Sequence, residues 1–123
     1  MRIGVVYYYV SDMNRALEFY RDKLGLKCLD LWLDAPSQWA EFQVGSVILG
    51  LEEVRKRGAS HKPPWGGAVV SFRVDKIDQA KTDLETKGVH FTTDILIFER
   101  VKVAQFEDPD GNRLELHERI LGM

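Results

Sequence analysis

Glu115 and His117 stand two residues apart near the end of the chain, and in an extended strand that spacing puts a carboxylate and an imidazole on one face. A carboxylate in a partly apolar setting has its pKa raised by desolvation, which suits a general acid or base. Paired with an imidazole it also supplies two ligands of a mixed oxygen and nitrogen metal site. Arg73 adds a fixed cation. It lies in an alternating stretch where Val70, Phe72 and Val74 share one face and Val69, Ser71 and Arg73 the other. From there Arg73 either orients an anionic ligand group or pairs with Glu115 and reverses the upward shift. Tyr7, Tyr9, Trp32 and Trp39 offer flat apolar surface with a polar edge, the material of a small-molecule site.

Other chemistries have less to stand on. Cys28, among Leu26, Leu29 and Leu31, reads as a small buried hydrophobe, and no histidine is implied beside Ser71 by spacing. His90, just past a helix stop, reads as the surface start of a strand, and His117 has the plain alternative of a strand-end histidine bonded to a neighbour. No phosphate loop, dinucleotide fingerprint or zinc spacing is present. At 123 residues, 45% hydrophobic and 29% charged, the chain makes one globular domain. A net charge of −2 without a basic stripe gives no reason to expect nucleic acid. The absence of an apolar run of membrane length, a first strand that follows Met1-Arg2 directly, and a single cysteine lead to the expectation of a cytoplasmic protein with no membrane span, signal peptide or disulfide.

The elements that position these residues come in two copies. Val10, Met13 and Ala16 recur as Val74, Ile77 and Ala80, an offset of 64 residues (74 − 10), and Gly25 and Gly45 recur as Gly88 and Gly111. Each half reads strand, helix, strand, strand, strand. In the first, a strand over 3–10 leads to a helix capped by Ser11 or Asp12, with Met13, Ala16, Leu17, Tyr20 and Leu24 as its apolar stripe. In the second, Asp75 is the expected cap and Ile77, Ala80 and Leu84 form a thinner stripe. Further strands are expected at 26–34, 38–44, 46–52, 89–98, 101–107 and 112–118. The organisation is a first βαβββ unit at 1–52, a linker at 53–66 rich in charge, proline and glycine, and a second unit at 67–123. The linker reads as a solvated connector, or as a lid carrying His61 and Trp65.

The segments VSDMNRALEFYRDKLGL (10–26) and FEDPDGNRLELHE (106–118) resemble the vicinal oxygen chelate superfamily of glyoxalases, bleomycin-resistance proteins and extradiol dioxygenases, and the resemblance covers nearly the whole chain. It implies an α+β fold of two tandem βαβββ units forming an open barrel-like sheet around a cavity, and a homodimer. Metal-dependent members place two His and two Glu in that cavity. Carried over by position, the two His places hold Val5 and Val69, the first Glu place holds Leu49, and only Glu115 keeps a ligand.

The resulting expectation is a metal-free protein that binds a small organic molecule in its inter-sheet cavity through Tyr7, Tyr9, Trp32, Trp39, Arg73, Glu115 and His117, with no cofactor. The alternative is a divergent lyase, isomerase or dioxygenase using Glu115 as base, or a non-standard metal site built on Glu115 and His117. A third reading is a structural dimer whose cavity is filled by its own aliphatic side chains.

Overall fold

A computed structural model describes residue 1 and residues 3–33, 38–53, 69–98 and 100–120. Backbone contacts divide the chain into Met1–Pro63 and Pro64–Met123. The first unit runs β1 (Val6–Val10), α1 (Met13–Leu17) with a π-helical continuation over Glu18–Lys23, β2 (Lys27–Trp32), β3 (Gln38–Val44) and β4 (Val47–Glu53). The second runs β5 (Val70–Arg73), α2 (Ile77–Thr86), β6 (Leu96–Ile97), β7 (Val101–Glu107) and β8 (Arg113–Arg119). Each unit holds its own four-stranded sheet, ordered β1-β4-β3-β2 and β5-β8-β7-β6. In both, the first strand pairs in parallel with the last and the remaining pairs are antiparallel. The fold is α+β, as expected. The linker residues 54–66, with His61 and Trp65, lie outside the described residues.

The apolar stripes do what their spacing requires. Met13, Ala16, Leu17 and Tyr20 are buried, and so are Ala40, Phe42, Leu49 and Leu51 from one face of β3 and β4. The rings of Tyr20 and Phe42 lie 6.1 Å apart. In the second unit Ile77, Ala104, Phe106, Leu114 and Leu116 are buried, while Ala80 and Leu84 are only half-buried, so the thinner stripe gives a thinner seal. Burying one face of each sheet under its helix leaves the alternate residues of every strand for the other face.

Two expectations change. Asp12 caps α1, accepting from the Arg15 amide at 3.1 Å, but the cap position of α2 is Lys76 rather than Asp75 and makes no side-chain cap bond. The Ile77 amide is satisfied instead by Glu118 Oε1 of β8 at 2.8 Å, just as the Met13 amide is satisfied by the buried Glu53 Oε2 of β4 at 2.6 Å. The second change is the strand expected at 89–98, which shrinks to Leu96–Ile97 and one bridge, Phe91 to Phe106. Thr93 is the cause: its hydroxyl accepts from the Gln105 amide at 3.0 Å, taking the place of a backbone carbonyl and interrupting the ladder.

Candidate functional site

The outer face of the second sheet is fixed by register. Because β5 and β8 run parallel with Ser71 beside Glu115 and Arg73 beside His117, all four side chains share one face. Ser71 Oγ donates to Glu115 Oε2 at 2.7 Å and lies 2.6 Å from His117 Nδ1. Gln105, opposite Glu115 on β7, donates weakly to Oε1 at 3.4 Å. The serine hydroxyl carries one proton. When the hydroxyl donates to Glu115, its oxygen is left to accept from His117, and the tautomer that carries its proton on Nδ1 supplies that bond and leaves Nε2 as an acceptor. The three residues form one hydrogen-bonded chain.

This chain revises the roles read from sequence. Glu115 and His117 do sit on one face, but Ser71 stands between them. Arg73 is exposed and makes no ion pair with Glu115, since parallel register sets it level with His117 instead. Ser71 has no histidine near it in sequence, yet His117 meets it across the sheet. Its partners are set by the parallel register of β5 and β8, which aligns Ser71 with Glu115 and brings it within reach of His117, and no local signal carries that register.

In the first unit the corresponding face is aromatic. Tyr7 and Tyr9 project from β1 and are 45% and 41% exposed. Trp39 of β3 pairs with Trp32 of β2, so both indoles fall on the same side as the tyrosines. The Tyr7 ring meets Trp39 at 5.2 Å and Tyr9 at 5.7 Å, both edge to face. The indole N–H of Trp39 is tied to Glu41 Oε2 at 2.9 Å, which fixes the ring plane. The hydrogen bond to Tyr9, with the charge of Tyr9, partial burial and Glu52 adding, raises the Tyr7 phenol above the ordinary tyrosine value.

Beneath Trp39 lies Gly50. A Cβ there would stand 2.6 Å from two atoms of the indole ring and 3.1 Å from the Tyr7 Cβ. Register also corrects the alignment of the two halves. Leu49 pairs with Val6 as Leu114 pairs with Val70, so the first-unit counterpart of Glu115 is Gly50, while Leu49 belongs to the buried face. The four places that hold metal ligands in the resembled superfamily are therefore Val5, Gly50, Val69 and Glu115, and the gap left at Gly50 is filled by an indole. One carboxylate is not a donor set for a divalent ion, so these places do not fit the group. Among the described residues, no group of three or more His, Cys, Asp and Glu is arranged to hold a metal ion. No described helix is long and apolar enough to cross a membrane.

Comparison with known proteins gives the wider frame. Residues 2–116 match the model of the Glyoxalase/Bleomycin resistance protein/Dioxygenase superfamily. The chain is 29% identical to Bacillus subtilis YraH over 121 residues, covering 90% of this chain and 93% of YraH. It is 25% identical to lactoylglutathione lyase of Schizosaccharomyces pombe over 132 residues, covering 87% of this chain but only 44% of that enzyme. The crystal structure of TnmS3, an antibiotic binding protein from Streptomyces sp. CB03234, superposes with a TM-score of 0.78 at 21% identity, covering 98% of this chain and 97% of TnmS3, a likeness of fold.

Proposed function

Because this chain belongs to the Glyoxalase/Bleomycin resistance protein/Dioxygenase superfamily, we propose that it is a metal-free member that binds a small planar organic molecule on the aromatic face of its first unit. One observation carries this reading: the indole of Trp39 lies over Gly50, at the place where metal-dependent members present a carboxylate. Side-chain volume that could have ligated an ion is replaced by an aromatic surface. Tyr7, Tyr9, Trp39 and Trp32 supply stacking area held at low conformational cost, and Glu41 and Glu52 supply polar contacts on the same face. The fold likeness to an antibiotic binding protein agrees with a binding role.

The test has two arms. The protein is incubated with Zn, Ni, Mn or Fe(II), desalted and assayed for metal per chain, and planar aromatic compounds are titrated against tryptophan fluorescence. The proposal requires substoichiometric metal together with saturable quenching that Trp39→Ala weakens. Stoichiometric metal would overturn it.

The chain Glu115–Ser71–His117 favours a second reading, an enzyme of lyase or isomerase type. In that case the base is His117 Nε2, with Ser71 and Glu115 as positioning residues that hold its tautomer. Since the donor set does not fit a metal, such an enzyme would move protons with these side chains alone.

A further inference from the structure

Beyond the Glu115–Ser71–His117 chain, the same sheet face turns cationic. A pocket of about 380 Å³ opens there, lined by Arg100, Val101, His117 and Arg119. Antiparallel pairing sets Val101 of β7 opposite Arg119 of β8, and the Arg100 carbonyl accepts from the Ile120 amide at 3.0 Å. The backbone thus holds both arginines at one end of the sheet, with the small Val101 leaving room between them. Arg73, level with His117 on the neighbouring strand, adds a third guanidinium to that end.

Two acids of β8 are directed elsewhere. Glu118, between His117 and Arg119 in sequence, is turned to the opposite face and bound to the Ile77 amide at 2.8 Å. Glu115 is engaged by Ser71 and Gln105. Neither Arg73 nor Arg119 makes an ion pair among the described residues, and both are exposed. Guanidinium groups in a concave site match the fork geometry of carboxylate and phosphate.

We infer that the pocket at Arg100 and Arg119 is an oxyanion site, taking the carboxylate or phosphate group of a small molecule. It stands on the second unit alone and does not depend on the aromatic face being a ligand site. Its position also bears on the second reading above, since an anionic group held by the arginines would lie beside His117.

The experiment is isothermal titration of the whole chain with two probes, inorganic phosphate and succinate, at constant chloride. Wild type should bind at least one of them saturably. Saturation by phosphate alone assigns a phosphate-bearing ligand, by succinate alone a carboxylate. Arg119→Ala and Arg100→Ala should each weaken that binding about tenfold or more, the loss expected for one charge-assisted contact. Arg21→Ala removes an exposed arginine paired with Asp22 in the first unit and should change nothing. Thermal melts of the variants establish that each is folded, and Arg119, which is exposed, should leave the melt unchanged on removal. The inference is overturned if wild type binds neither probe, if Arg119→Ala binds as wild type does, or if Arg21→Ala loses as much as the pocket variants.

Discussion

Gly50 concentrates the argument at the scale of single residues. An alanine there is the smallest possible intrusion, yet its Cβ meets the Trp39 ring at 2.6 Å, so the indole must move or the sheet must distort. Gly50→Ala should cost about 1–3 kcal/mol in denaturant unfolding, the range for overpacking a filled site, and should shift tryptophan emission. Gly50→Glu restores a carboxylate at this place but should not restore metal binding, because Val5 and Val69 still lack donors. Metal assay of the desalted variant checks this. Tyr7 offers a gentler probe: Tyr9→Phe removes the bond that chiefly raises its pKa, so Tyr7 should then ionise at lower pH in an alkaline ultraviolet titration. Gly50 was hidden in the sequence because aligning turn glycines, Gly45 with Gly111, misses the one-residue difference between the halves. Only strand register exposes it. The same holds for Ser71, whose partners are 44 and 46 residues away in sequence.

At the scale of elements, the two units share a device that no local cap signal reveals. Glu53 and Glu118, each late in the last strand of its unit, reach across to the first amide of that unit's helix. A carboxylate at a helix N-terminus satisfies an orphan donor and meets the positive end of the dipole, so each helix is fastened to its sheet as well as started. The Glu53 side chain is buried and the Glu118 side chain half-buried, which ranks their contributions. Glu53→Ala should cost about 1–3 kcal/mol, the penalty for leaving a buried donor unsatisfied, and Glu118→Ala about 1 kcal/mol, the usual worth of a cap. Equal losses in urea unfolding would contradict this ranking. Helices and most strands were legible because their signals are local: apolar spacing, Asp12, and glycines at positive φ such as Gly25 and Gly111. The long strand expected at 89–98 failed for a non-local reason, since Thr93 acts as a substitute acceptor only once β7 lies beside it.

For the molecule as a whole, the two units keep one backbone plan and put different chemistry on it. The first exposes aromatic rings with carboxylates among them; the second exposes a proton chain and a cationic end. Repetition made the plan legible, because the helix-stop glycines, Gly25 and Gly88, and the hairpin glycines, Gly45 and Gly111, recur. The chemistry was legible only in part, since a face is known from alternation while its contents depend on register between strands distant in sequence. That division of labour predicts how the whole chain should respond to ligands. A compound that binds only the folded state stabilises it by about 2.7 kcal/mol at a hundredfold excess over Kd, which for a domain of this size raises Tm by roughly 10 °C. Planar aromatic compounds should produce shifts of this order, and Trp39→Ala should abolish them while Arg119→Ala leaves them in place. Zn, Ni or Mn at the same excess should produce no comparable rise. If the metals stabilise and the aromatics do not, the aromatic surface over Gly50 is packing and not a site.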